Sequence, residues 1–309
     1  MQANTVGLVL GSGASRGWAH IGVIEALREA DIPIHVVAGC SVGAFVGAVF
    51  ASGSLEQLKA SVIDMDGEHM FSLSDLAILR PGLIDGDKKL RELFHRYSDI
   101  QDFSELNIPL KVVATDMHSG DQVVFKSGSL LKALRASLSY PGLFAPVPYK
   151  GRWLIDGGVV DPVPVGVARS MGADIVIAVS LNSELVSLKR HTPPQSGPAE
   201  TASPVKNSFL RNLAGRHDTA GKTRPAWMDL QKKIPSTVPG VWPVLNASIQ
   251  LMQDRITRVN LAVNAPDILI EPRLGDLKML DYDQVAHSIE EGYRATQNRI
   301  SDIKALLNT

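Results

Sequence analysis

Four short runs in this sequence are apolar rather than alternating, with His35 and Lys111 their polar exceptions: Val6 to Leu10, Ile34 to Ala38, Leu110 to Ala114 and Ile175 to Val179. A strand with one wet face alternates apolar and polar residues, so such runs predict strands covered on both faces, as in a parallel sheet. Between them the spacing changes. Over Trp18 to Ala30, the residues Ile21, Ile24, Glu25 and Arg28 show the three-and-four spacing that sorts the faces of a helix, and Val42 to Ala51 is a second helical stretch. Val147 to Ile155 reads as a hairpin about Lys150-Gly151. A helix over Pro164 to Met171, a strand over Asp174 to Ser180, a helix over Leu245 to Ala262, a strand over Asp267 to Glu271 and one long terminal helix over Asp283 to Leu307 follow. Alternation of strand and helix predicts an α/β layered domain.

The rhythm breaks between residues 183 and 243, where Pro193, Pro194, Pro198, Pro204, Pro225, Pro235 and Pro239 are interspersed with Ser, Thr and Gly. Such a stretch reads as an insertion rather than a core element, a solvated loop or a membrane-docking or lid segment. The organisation expected is therefore a catalytic core over 1–182, the insertion over 183–243, and C-terminal elements over 244–309 that complete the same domain. The insertion is basic, with nine Lys or Arg against three Asp or Glu between Val186 and Lys233.

Composition narrows the function classes. The chain has 309 residues, 45% hydrophobic and 20% charged, which suffices for a sizeable core. A formal net charge of -1 argues against a nucleic-acid partner. One cysteine, Cys40, leaves no intramolecular disulfide framework and fits a reducing compartment, with the cytosol as the expected location. The N-terminal apolar run lacks a cationic lead and passes straight into glycines, so it reads as a strand rather than a signal peptide. No segment supplies the roughly 20 uninterrupted apolar residues of a membrane span, so contact with lipid is expected to be peripheral.

The chemistry lies in three short motifs. Gly39-Cys40-Ser41-Val42-Gly43 fits G-x-S-x-G between a predicted strand and a predicted helix, where a sharp turn pushes the Ser41 hydroxyl outward and glycines remove colliding Cβ atoms. Gly11-Ser12-Gly13-Ala14-Ser15-Arg16-Gly17 also lies between strand and helix, so its amides gather at the positive end of a helix dipole. If the two strands are parallel neighbours, both loops emerge at one carboxyl edge. A dinucleotide site is excluded, because Arg16 stands where a small residue is needed and the second strand ends in Gly39-Cys40-Ser41 rather than in an acid. Ser41 needs a base, and the residues leave two arrangements open: Asp156, followed by Gly157-Gly158, acting directly, or a triad recruiting His287.

Taken together, the Gly-rich loop with Arg16-Gly17, then Ala19-His20-Ile21-Gly22-Val23, Gly39-Cys40-Ser41-Val42-Gly43, Arg135-Ala136-Ser137, Pro141 to Pro146 and Asp156-Gly157-Gly158 resemble the bacterial patatin-like phospholipases, closest to the small subgroup of the RssA type. The resemblance covers about residues 5 to 182. It implies a three-layer α/β/α sandwich with a mainly parallel central sheet and a Ser-Asp dyad that hydrolyses lipid acyl esters with no cofactor or metal. Carried over, Ser41 is the nucleophile, Asp156 the base, and Gly11, Ser12, Gly13, Ala14 and Arg16 the oxyanion hole, with Gly39, Gly43, Gly157 and Gly158 in support. The substrate expected is a lipid or other acyl ester; head group, chain length and oligomeric state are not legible. Family loops read G-G-G-x-R-G, so a positive φ at Ser12 or Ala14 would store strain of about 1 kcal/mol or more. That departure keeps open an alternative, a catalytically weak lipid-binding or regulatory protein with the same fold. His20 reads as a packed or capping histidine, Cys40 as buried, Leu143 and Phe144 as an acyl lip or core, and Met65, Met70 and Phe71 as tunnel lining or core filler.

Overall fold

The computed structural model describes residues 4–64, 87–182, 240–275, 277 and 284–308. Met65, Met70, Phe71 and almost all of the basic insertion lie outside them. In chain order the described elements are β1 (Val6–Leu10), a 3-10 turn (Ala14–Trp18), α1 (Ala19–Glu29), β2 (Val36–Cys40), α2 (Val42–Ala51), α3 (Leu55–Asp64), α4 (Asp87–His95), β3 (Leu110–Asp116), β4 (Gln122–Phe125) and α5 (Leu130–Ser137). Then come β5 (Val147–Tyr149), β6 (Arg152–Asp156), α6 (Val165–Arg169), β7 (Ile175–Val179), α7 (Val241–Val263), β8 (Ile268–Ile270), α8 (Val285–Gln297) and α9 (Ile300–Leu307).

One mixed sheet joins the strands through the pairings β5-β6-β3-β2-β1-β7-β8, with β4 also on β3. The β1-β2, β2-β3, β1-β7 and β7-β8 pairs are parallel. Residues of the central strands alternate between two cores: Leu8, Leu10, Val37 and Ile177 pack with α1, α2, α3, α5 and α8, whereas Val9, Ala38, Val176 and Ala178 pack with α6. Both faces are thus covered, giving the three-layer α/β/α sandwich with a mainly parallel sheet.

Several boundaries differ from the pattern reading: α7 starts at Val241 rather than Leu245, inside the stretch read as the insertion, and β3 runs on to Asp116. The second strand is Val36–Cys40, not Ile34 to Ala38, because Gly39 and Cys40 continue the ladder opposite Val112 and Val113 although a glycine ends the apolar run. The C-terminal stretch is two helices, Val285–Gln297 and Ile300–Leu307, separated by Asn298 and Arg299. α8 crosses α1 at two glycines: a Cβ on Gly22 would lie 1.9 Å from the Ile289 carbonyl oxygen, and one on Gly292 2.0 Å from that of Ala19.

The sheet register creates the site. β4 pairs antiparallel with Val112 to Thr115 along one side of β3. A strand has only two hydrogen-bonding sides, so β2, which pairs up to Val113, and β6, which pairs from Ala114 onward, share the other side end to end. They run in opposite directions, and Cys40 stands opposite Val113 while Asp156 stands opposite Ala114. The last residue of β6 therefore meets the first residue after β2, which is Ser41.

Candidate active site

Ser41 occupies the turn between β2 and α2 with φ 54 and ψ −124, a region costing an L-residue about 1–3 kcal/mol. Its surroundings hold it there: its amide donates to Ser137 Oγ at 2.7 Å, and its carbonyl accepts from the amides of Ala44 and Phe45 at 3.0 and 3.2 Å. The flanking glycines are required by space. A Cβ on Gly43 would sit 2.1 Å from the Leu10 carbonyl oxygen, and one on Gly39 2.5 Å from Ala44 Cα.

Ser41 Oγ donates to Asp156 Oδ2 at 2.6 Å, and the other carboxylate oxygen, Oδ1, accepts from the Gly158 amide at 2.7 Å. The Asp156 backbone is pinned as well, its carbonyl accepting from Thr115 Oγ1 at 2.8 Å and its amide donating to the Ser139 carbonyl at 3.0 Å. Asp156 is wholly buried and Ser41 only 8% exposed. Burial raises the carboxyl from 3.8 to about 6, while the bonds from Ser41 and Gly158 pull it down. A carboxylate made this basic is a better acceptor for a hydroxyl proton than a solvated one. Gly157 has no room for a side chain, its Cβ falling 2.3 Å from the Val113 carbonyl oxygen.

The Gly-rich loop reaches the same place, since a Cβ on Gly158 would lie 3.3 Å from Ser12 Oγ. Not all of its amides face inward. Gly11 donates to Val179 O at 3.1 Å and Ser12 to Pro162 O at 2.9 Å, so both serve the sheet and its connection, and the Arg16 amide bonds Gly13 O at 3.2 Å. Of the five residues that the resemblance implies for the oxyanion hole, Gly11, Ser12 and Arg16 thus spend their amides on backbone carbonyls, whereas the amides of Gly13 and Ala14 have no such partner among the described residues. Ala14 is the strained position, with φ 50, whereas Gly13, at φ 175, is extended.

The Arg16 side chain braces this loop. Its Nε donates to Gly13 O at 3.2 Å, its Nη1 is buried without a partner among the described residues, and burial lowers its pKa to about 10, so it remains cationic. His20 is an anchor rather than a base: Nε2 contacts Gly11 O at 2.8 Å, and burial lowers its pKa to about 4, so at neutral pH the neutral ring donates from that nitrogen. Cys40 is buried and its thiol is pushed well above its ordinary value by burial and then by Asp156, so no thiolate is available. His287 is exposed on α8, while the Ser41 hydroxyl already donates to Asp156.

Several neighbours escaped the sequence reading. Tyr140 and Ile249 form a small apolar cluster with Leu143, Phe144 and Ala14 packed on it, which sets Leu143 and Phe144 beside the loop. The Tyr140 phenol, raised by burial and by Asp156, donates to Asn246 Oδ1 at 2.9 Å. From α7, Gln253 Nε2 lies over Gly158, 2.5 Å from where a Cβ would be. A three-and-four spacing of amide side chains in Leu245 to Ala262 is the one sequence signal that pointed to them.

Comparison with known proteins finds several to which the chain is similar. The family model of patatin-like phospholipases matches residues 8–169, which contain all three motifs. An NTE family protein of Mycobacterium tuberculosis is 30% identical over 330 residues, covering 93% of this chain and 89% of that protein. Patatin-like phospholipase domain-containing protein 6 of Homo sapiens is 35% identical over 195 residues, 60% of this chain and 14% of that protein. Among solved structures, VipD from Legionella pneumophila is similar with a TM-score of 0.46 and 14% identity, over 98% of this chain and 67% of that chain.

Proposed function

The chain belongs to the patatin-like phospholipase family, a family of lipid ester hydrolases, and from that premise we propose that it cleaves lipid acyl esters with a two-residue Ser41-Asp156 machine. The 2.6 Å hydrogen bond from Ser41 Oγ to the buried Asp156 carboxylate carries the reading. Asp156 accepts the hydroxyl proton as Oγ attacks the ester carbonyl, forming a C-O bond and placing the carbonyl electron pair on oxygen. The unpaired amides of Gly13 and Ala14 are the donors available to that oxyanion, and one such donor is typically worth about 10²- to 10³-fold in rate. Collapse expels the alcohol, which takes the proton from Asp156 and leaves an acyl-Ser41 ester. Water, deprotonated by the same carboxylate, then releases the fatty acid and restores the serine.

Leu143, Phe144, Tyr140 and Ile249, clustered beside Ala14, suit the acyl chain of a phospholipase A, lysophospholipase or carboxylesterase substrate. A fluorophosphonate probe tests the dyad: wild type labels and releases fatty acid, Ser41→Ala does neither, and Asp156→Asn labels weakly. Labelling retained by Ser41→Ala removes the proposal. His287→Ala keeps full turnover; loss there would restore the triad.

One observation favours the second reading, a lipid-binding protein with weak chemistry: the left-handed φ of Ala14, a strained donor position in the loop. Lipid binding by wild type without release of fatty acid distinguishes it.

A further inference from the structure

α7 is amphipathic in the reverse sense. Its inward residues are mostly polar, Ile249 and Leu261 being the apolar exceptions: Asn246 meets Tyr140, Gln253 covers Gly158, Asp254 and Thr257 are buried, and Asn260 Nδ2 donates to Val160 O and Asp161 Oδ1. The same side borders a cleft of about 450 Å³ at the ends of β7 and β8, lined by Ser180, Asn182 and Glu271 among others. Its outward residues are apolar. Val241, Leu245, Leu251, Met252, Val259 and Val263 are between 40% and 83% exposed. At about 100° per residue, all but Leu251 fall within about 40° of one another, and Leu251 flanks them.

A largely apolar stripe facing water, interrupted by Ser248 and Arg255, marks a contact surface. We propose that the outer face of α7 docks the protein on an anionic lipid surface, so that the helix lies in the interface with its polar face toward the active site. The inference rests on the lipid-ester reading of that site. Charge supports a lipid partner: Arg255 is exposed beside the stripe, whereas the helix's acid, Asp254, is buried and paired with Arg258 at 3.0 Å on the cleft side. An arginine beside an apolar stripe reaches up to phosphates while its stem stays in contact with acyl chains. A coiled coil with a second copy fits worse, because a seam along 241, 245, 248, 252, 255 and 259 would bury Ser248 and Arg255. Among the described residues no helix is long and apolar enough to cross a membrane, so α7 rests on the surface. Its inner face already touches Tyr140 and the glycines after Asp156, which makes the docked surface continuous with the acyl-lined site.

The test is flotation of the full chain with phosphatidylcholine vesicles, with and without phosphatidylglycerol, alongside hydrolysis of water-soluble p-nitrophenyl butyrate. Wild type floats with the anionic vesicles, less so at high salt. The double variant Met252→Glu/Val259→Glu partitions on the order of tenfold more weakly or worse, yet keeps its melting temperature and its turnover of the soluble ester. Arg255→Glu weakens binding to anionic vesicles and leaves binding to neutral ones unchanged. Wild type that stays in solution, or a double variant that floats as well as wild type, overturns the docking. So does a lower melting temperature of the double variant, which would mean that protein covers the face, or its conversion from dimer to monomer in sedimentation, which would mean a second copy does. Absent butyrate hydrolysis in wild type counts against the dyad instead, and vesicle binding is read independently of it.

Discussion

Ser41 and Asp156 meet because two strands running in opposite directions end against each other on one side of β3, with Cys40 opposite Val113 and Asp156 opposite Ala114. The carboxylate so placed has no exposure to solvent, and burial moves it from 3.8 to about 6. It must be ionised to accept a proton. kcat/KM for a soluble ester should therefore fall about tenfold for each pH unit below about 6 and level off above it. A profile flat from pH 5 to about 8 would remove Asp156 as the base.

The same shift has a stability sign. The folded value lies above the unfolded one, so the native state holds this proton more tightly, and its contribution favours folding at low pH and is lost as pH rises from about 4 to about 6. By pH 8 the buried charge costs about 3 kcal/mol. Asp156→Asn should raise the urea midpoint at pH 8, and the difference should vanish near pH 4. A variant less stable than wild type at pH 8 would show that the hydrogen bonds outweigh desolvation.

At Ser41 the ordinary order of Ala over Gly should invert. With φ 54, any Cβ at this turn is strained, so Ser41→Gly should be more stable than Ser41→Ala by about 1 kcal/mol. Equal midpoints would place the strain elsewhere.

Ala14, at φ 50, offers the matching gain in the loop. Ala14→Gly should add about 1 kcal/mol in urea unfolding and keep or increase ester turnover. Ala14→Val, β-branched at a left-handed position, should lose both. Activity lost in Ala14→Gly would show that a rigid loop matters more than a relaxed one.

Ser41, Asp156 and the Gly-rich loop were legible in the sequence because their chemistry and close packing admit few residue types. Which loop amides stay free was not, since that depends on Val179 and Pro162, strangers to the loop until the sheet forms. Tyr140 and Gln253 were hidden for a similar reason, each a common residue brought in from another element, and Ser137 was legible as part of a motif but not as the acceptor of the Ser41 amide. The second strand was displaced in the reading because Gly39 and Cys40 end an apolar run but continue a hydrogen-bond ladder.

The meeting of β2 and β6 on β3 also divides the proposed catalytic pair between regions of unequal permanence. Ser41 follows a strand whose five residues are all buried, whereas Asp156 rides on a hairpin that includes half-exposed Trp153 and is zipped to β3 by three residue pairs. Such a hairpin is a candidate foldon able to open below the global transition. In dilute urea, catalysis should then fade before the helical circular-dichroism signal does, with amide hydrogen exchange faster at Leu154 than at Val37. This would be an enzyme disarmed while still folded.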